Sequence, residues 1–549
     1  MATRKSSRSH RDCTSMTRNT ILSARRQLHE RKLAKAVPQL RDALSRFDEE
    51  AGFLRLIWAV DALQSNFGAD VSRYLQYPKG AESLDPGSPF LIHKWELETL
   101  VSLFFDTAQN QHRFKDGLVY RSTEYGALGH LVNLLRKIEN SESGVRLTPN
   151  NVLLEMHRIA HRQFGWQRKF ATGERLYRFA YIYGQGSCAD FLSDKYGMPI
   201  DDFFHAGFLL YAQAHRWPWT KTQGLKNLGL SKDTLDKALA VMSLSLPDFR
   251  SSAKALTNKL TNTKDIPTAY MPSLLRQFPI ITAPEFETFI APLPELIFYR
   301  MTVGLFYDIA SGPQSLLNEA NSRFEDYARQ LLQGYFPAFN VMAAIPYGPK
   351  KSRIDSPDIL IQVNGEIAVV LECKATKLTY LSQYSDEPVS DAQKAYEQIA
   401  KGVAQVWRFF AHARLQLFSE HPVAPDAQGI VLTLDAWMQM SADLQREVTA
   451  IAKRLVESDG TVTEADMRPI IFCPMQELAD VAIISNEQQF LATLAKAILP
   501  EHHGWAFREV RRRTDEQEKP NKFPFRYSGL HPWMDRINGL AEANGRRFF

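Results

Sequence analysis

Asp358, in Ser356-Pro357-Asp358-Ile359-Leu360-Ile361, and Glu372, in Val369-Val370-Leu371-Glu372-Cys373-Lys374, stand fourteen residues apart, with Lys374 two residues further on. Two carboxylates and a lysine at this spacing are suited to phosphoester chemistry. Hydrolysing a phosphodiester near neutral pH calls for a divalent metal that offsets charge developing on the phosphate, and hard ions such as Mg²⁺ select carboxylate oxygens. Residues i and i+2 of an extended strand share a face, so Glu372 and Lys374 point one way and Cys373 the other. A lysine so placed can orient the attacking water, help deprotonate it, or stabilise the phosphorus centre.

The elements that position these groups can be read around them. Val363-Asn364-Gly365 is a hairpin signal, and two loop lengths compete for it. A two-residue Asn-Gly turn would place Asp358 and Glu372 on opposite faces, separating the ligands. A three-residue loop with Gly365 as the left-handed bulge residue sets Asp358 opposite Val370 and diagonal to Glu372. The second gathers Ile359, Ile361, Val363, Ile367, Val369, Leu371 and Cys373 on one apolar face and leaves Asp358, Gln362, Glu366, Glu372 and Lys374 on the other. The bulged loop is therefore the expectation.

Pro357-Asp358 and Glu372-Cys373-Lys374, with Glu325 upstream in Arg323-Phe324-Glu325-Asp326-Tyr327, resemble the PD-(D/E)xK, or restriction-endonuclease-like, nuclease superfamily. The resemblance spans roughly residues 300 to 500. It implies that Asp358 and Glu372 bind Mg²⁺, with Mn²⁺ as a substitute, that Lys374 is the catalytic lysine, and that Glu325 is an accessory acid. It also implies a following helix that offers a glutamine. The segment 391–416 is helical by pattern, and Lys394, Gln398, Lys401, Gln405, Arg408 and His412 recur along it at steps of four and three as a polar, mostly basic stripe. Such a stripe is either a solvated face or, beside the site, one where Gln398 or Gln405 approaches the metal and the cations contact phosphates.

The remainder of the chain sets bounds. Its 549 residues allow two to four domains, and 44% hydrophobic with 23% charged content is ordinary for a soluble protein. A net charge of +5 permits nucleic-acid binding without requiring it. Cys13, Cys188, Cys373 and Cys473 form no close pair, which argues for a reducing, cytoplasmic setting and against disulfides or zinc. No run of about twenty apolar residues occurs, so no membrane span and no membrane partner are expected. Residues 1–36 are rich in Arg, Lys, Ser and Thr. They read as a disordered basic arm, an ordinary loose terminus, or a transit peptide.

Residues 37–290 carry three-and-four spacing of apolar positions almost throughout and are expected as one helical domain. Within it, Leu228-Gly229-Leu230-Ser231-Lys232 has the form of a corner between helices, with Ser231 as cap. From about residue 339 strand-like runs alternate with helical ones. The expected fold class is thus a large all-α amino-terminal region followed by an α/β restriction-endonuclease-like domain (300–500), its mixed central sheet flanked by helices. A polar loop, Ser382 to Ser390, follows the site, and residues 501–549 form a basic extension with Arg508, Arg511, Arg512 and Arg513.

The expected activity is metal-dependent phosphodiester hydrolysis, with DNA favoured over RNA by resemblance alone. A homodimer or an accessory protein would suit such an enzyme, and bacterial genome defence would suit the domain layout. The alternative is a catalytically inactive nucleic-acid-binding or scaffold protein on the same fold.

Overall fold

The computed structural model describes residues 6–65, 70–109, 119–148, 152–221, 230–262, 266–283, 288–384, 388–436, 441–514, 520–535, 537 and 539, with backbone alone for 6–22, 152–154, 157, 380, 381 and 388. The chain forms two compact units, 1–150 with 206–301 and 151–205 with 302–549. Residues 151–205 therefore group with the carboxy-terminal part, where linear reading had joined them to 37–290. Their hydrophobic faces pack on helices that lie more than a hundred residues further along the chain.

The first unit is mainly helical. In Glu50–Leu63, Phe53, Leu54, Leu56, Ile57 and Trp58 are buried. A helix spans Ser6–Leu44 and packs against Tyr125–Arg146, with Ala36 and Leu40 buried. Within the segment 1–36 the backbone is helical from Ser6, with Ala36 buried and Leu40 buried just beyond it. The all-α expectation needs correction. Thr220–Lys221, Ser243–Ser245, Ile280–Ala283 and Thr288–Ile290 form a four-stranded sheet. Strands of two to four residues are too short to show a period of two. Leu228 and Gly229 of the proposed corner lie outside the described residues. Ser231 does cap Lys232–Met242, its hydroxyl accepting the Thr234 N–H at 3.0 Å.

The second unit is built on a five-stranded mixed sheet. Its strands are β1 (Asn340–Ala343), β2 (Ile359–Val363), β3 (Glu366–Lys374), β4 (Val423–Thr433) and β5 (Ile470–Pro474), in the order β5-β4-β3-β2-β1. The pairs β1–β2 and β2–β3 are antiparallel, whereas β3–β4 and β4–β5 are parallel. Parallel neighbours need crossovers. Those are α3 (Gln393–Arg414), between β3 and β4, and α4 (Ala442–Val456), between β4 and β5. Before the sheet come α1 (Gly173–Tyr183) and α2 (Gln314–Tyr335), and after β5 comes α5 (Met475–Ala482).

Both faces of β3 are buried, as crossover packing requires. Leu360, Ile367 and Val370 pack with Val406, Phe409 and Phe410 of α3. Val431 of β4 joins Ile399, Val403 and Trp407 in the cluster between α3 and α4. The carboxy-terminal segment is no loose extension. Phe507, Val510, Trp533 and Met534 are buried, and Arg511 donates to Ser485 Oγ and to the Ile484 carbonyl. Of its described arginines, Arg511 is buried in the fold and Arg508 pairs with Asp480, whereas Arg512, Arg513 and Arg526 are exposed.

The turn between β2 and β3 differs from expectation. Val363 pairs with Glu366, so the loop is the two-residue Asn364-Gly365, with φ of 51° and 91°. Positive φ at both positions is what such a turn demands, and Asn-Gly tolerates it best. The expected bulge at Gly365 is thus corrected, but the ladder is bulged elsewhere. Gln362 pairs with Ile367 and Ile361 with Val369, leaving Ala368 as the extra residue on β3. The slip moves Ile367 to the same face as Leu360 and Val370, away from the face on which it was expected.

Candidate active site

Past the bulge, Ile359 lies opposite Leu371. One residue further in that register Asp358 stands across from Glu372 rather than diagonal to it, and directly opposed residues share a face. Glu372 is paired in register with Val431, whose side chain lies under α3, so Glu372 faces α3 as well. A buried serine sets the entry of β2. Ser356 N–H donates to the Ile345 carbonyl at 3.0 Å, and its hydroxyl accepts the Ile345 N–H at 2.9 Å.

The chemistry is concentrated at Glu372. It is 3% exposed, and its Oε1 accepts from Lys374 Nζ at 2.7 Å. Its Oε2 is buried with no hydrogen-bond partner among the described residues. The carboxyl is pushed up to about 7 by burial, with Asp358 and Glu325 adding to the rise and Lys374 opposing it. Asp358 Oδ2 accepts the Cys373 N–H at 2.6 Å. Burial raises the Asp358 carboxyl above its ordinary value, while that N–H and Lys374 hold the rise down. Glu325, half-buried on α2, is pushed up to about 7 by burial and by Asp358, again against Lys374. The structure thus brings together Glu325, Asp358, Glu372 and Lys374 from α2, β2 and β3. The neighbouring Asp326 is not part of this group, since it accepts from Tyr181, Arg329 and Gln330.

On α3 the stripe separates into parts. Gln405 Oε1 accepts from Lys374 Nζ at 3.0 Å, so of the two candidate glutamines it is Gln405 that reaches the lysine. Gln398, Lys394 and Lys401 are exposed on the helix surface. Arg408, expected as a phosphate contact, instead pairs with Asp459 at 2.9 Å and donates to the Leu455 carbonyl. His412 is held by Tyr347 Oη at 2.8 Å. Both have fold partners that no local pattern reveals, because those partners lie in distant segments. The polar loop after the site includes short helical turns at Tyr380–Gln383 and Pro388–Asp391, while 385–387 lie outside the described residues.

Two further features surround the site. Gly402 presses against it, since a Cβ there would lie 3.0 Å from Lys374 Cε and 3.3 Å from Glu372 Cγ. An isolated glycine inside a strong helical pattern was its sequence signal. Lys377, three residues after Lys374, is buried, pairs with Asp435 at 2.9 Å and stacks over Phe306. It ties the chain leaving β3 to the end of β4.

Among the described residues no three His, Cys, Asp or Glu side chains converge as a ready-made metal cage. A two-carboxylate site is a different arrangement, because Mg²⁺ commonly takes one or two carboxylates and completes its shell with water and substrate phosphate. The unpartnered Oε2 of Glu372 fits such an ion: a buried carboxylate oxygen without a partner is costly, and a hard cation satisfies it. Compared with protein-family models, curated proteins and solved structures, the chain matches none. No helix among the described residues is long and apolar enough to cross a membrane.

Proposed function

We propose that this protein is a Mg²⁺-dependent nuclease of the PD-(D/E)xK kind, hydrolysing phosphodiester bonds in DNA. One observation carries the reading: Glu372 is buried beside Asp358 with one oxygen on Lys374 and the other without a partner among the described residues. Asp358 and Glu372 would hold the ion, with Glu325 close by. When bound, the metal supplies positive charge that offsets the phosphate and eases ionisation of water.

The chain's own residues do the rest. Lys374, fixed between Glu372 and Gln405, orients the attacking water and stabilises charge on the phosphate. Glu325, with its raised carboxyl, can carry a proton near neutral pH. Exposed Lys394 and Lys401 offer the backbone sequence-independent contacts. In-line attack would leave a 5′-phosphate by analogy with the superfamily, and a cytoplasmic location, a homodimer or accessory partner, and a defence role belong to the same reading.

The test is cleavage of linear, circular and single-stranded DNA and of RNA by the full chain with Mg²⁺ or Mn²⁺, beside Asp358→Asn and Lys374→Ala. Each substitution should lower the rate about 10²–10⁴-fold. If wild type cuts nothing under either metal, or both variants cut as well as wild type, the nuclease reading fails. Retained DNA binding would then favour the inactive scaffold.

A further inference from the structure

Among the described residues β5 is the last strand of the sheet, with its one hydrogen-bonded neighbour in β4. A pocket of about 450 Å³ is lined by β5. Its floor is the stretch from Pro469 to Phe472, one wall is α4, and the other is the segment His502 to Trp505. This volume is within the range of small-molecule sites, roughly 300–1,000 Å³.

The lining has a definite chemistry. Arg446, Thr449 and Lys453 step along α4 by three and four, so one face of the helix presents all three to the pocket. Among the described residues no aspartate or glutamate lines it. Lys453 is exposed, and among the described residues Arg446 has a single, solvent-exposed partner in Asp443 one turn back, a kind of pair that holds a side chain weakly. The Thr449 hydroxyl donates to the Gln445 carbonyl at 2.7 Å, which leaves its oxygen free to accept. Trp505 gives an aromatic surface, backed by Arg513 at 4.2 Å from its ring centre. Gly504 holds that wall in place with φ +85°, and a Cβ there would lie 2.7 Å from the Ala442 nitrogen at the start of α4. The wall is therefore a fitted part of the fold.

We propose that this pocket binds a nucleoside phosphate. Arg446 and Lys453 take the phosphate, Trp505 stacks on the base, and the outward amides and carbonyls of β5 read its polar edge. Burial, and then Arg446, hold the His503 imidazole below its ordinary value. Helix α3 links this pocket to the carboxylate site. It offers Gln405 to Lys374 and, two residues on, Trp407 to the pocket lining. The inference does not depend on the nuclease reading.

The test is titration of the full chain with AMP, GMP, CMP and UMP, followed by tryptophan fluorescence and calorimetry, with adenosine and inorganic phosphate as controls. At least one nucleotide should bind saturably and at least tenfold tighter than either control. Combined Arg446→Glu and Lys453→Glu should weaken binding at least tenfold without moving the thermal midpoint, while Asp358→Asn binds as wild type. The proposal is overturned if no nucleotide binds at millimolar concentration, if inorganic phosphate binds as tightly as the nucleotide, if the double variant binds unchanged, or if Asp358→Asn abolishes binding.

Discussion

Lys374 Nζ lies 2.7 Å from Glu372 Oε1 and 3.0 Å from Gln405 Oε1, while Glu372 Oε2, on the same carboxylate, has no partner among the described residues. The lysine thus neutralises half of a buried acid and is itself held from two sides. Removing it has consequences for both stability and rate.

In Lys374→Ala the Glu372 charge loses its partner. The cost should be about 1–3 kcal/mol above pH 8, where the carboxylate is ionised, and smaller near pH 5.5, where it is protonated. Urea unfolding at the two pH values measures the difference. Equal losses at both would show that the pair does not govern the effect.

Gly402→Ala separates fold from site. Alanine in a helix interior gains up to about 1 kcal/mol over glycine, yet its Cβ would crowd Lys374 Cε, the movable end of a side chain. The melting temperature should hold or rise while any nuclease rate falls at least tenfold. A variant as active as wild type would mean that Lys374 needs no fixed position.

The raised carboxyls give a pH dependence of definite sign. Glu372 and Glu325 move from 4.5 up to about 7, so between these values the folded protein binds more protons than the unfolded chain. Stability is therefore greatest below the unfolded value and declines as pH rises through the folded one. For Glu372 alone the loss is on the order of 3 kcal/mol. Glu372→Gln should flatten the decline between pH 5 and 7.5 in metal-free buffer, as followed by thermal unfolding.

Added Mg²⁺ should reverse that decline. An ion that binds the folded state at a hundred times its Kd stabilises by about 2.7 kcal/mol. Thermal midpoints with and without Mg²⁺ at pH 8 should differ for wild type and coincide for Glu372→Gln. A shift of equal size in the variant would place the ion elsewhere.

Asp358→Asn and Asp358→Ala should part company in stability. Asn keeps an oxygen for the Cys373 N–H, which Asp358 Oδ2 now accepts at 2.6 Å, whereas Ala leaves that amide without its acceptor. The difference should be about 1 kcal/mol in Ala's disfavour. Both should lower Mg²⁺-dependent cleavage about 10²–10⁴-fold if the carboxylate holds the ion.

Much of this was written locally. The alternation of β2 and β3, the helical stripe of α3 and the Asn364-Gly365 turn signal follow from the fixed periods of strand and helix and from which residues accept positive φ. By the same geometry Glu372 and Lys374 share a side of their strand whatever surrounds them. What the local pattern could not determine was register. A bulge at Ala368 and a bulge at Gly365 both bring Asp358 and Glu372 to one side, and only the pairing of β3 with its neighbours decides between them. Contacts remote in sequence decided the remainder: Arg408 is captured by Asp459, residues 151–205 join the second unit, and Gly402 meets Lys374. Backbone periodicity is a property of each segment alone, whereas the partner of a long side chain is chosen by whatever the completed fold brings within its reach.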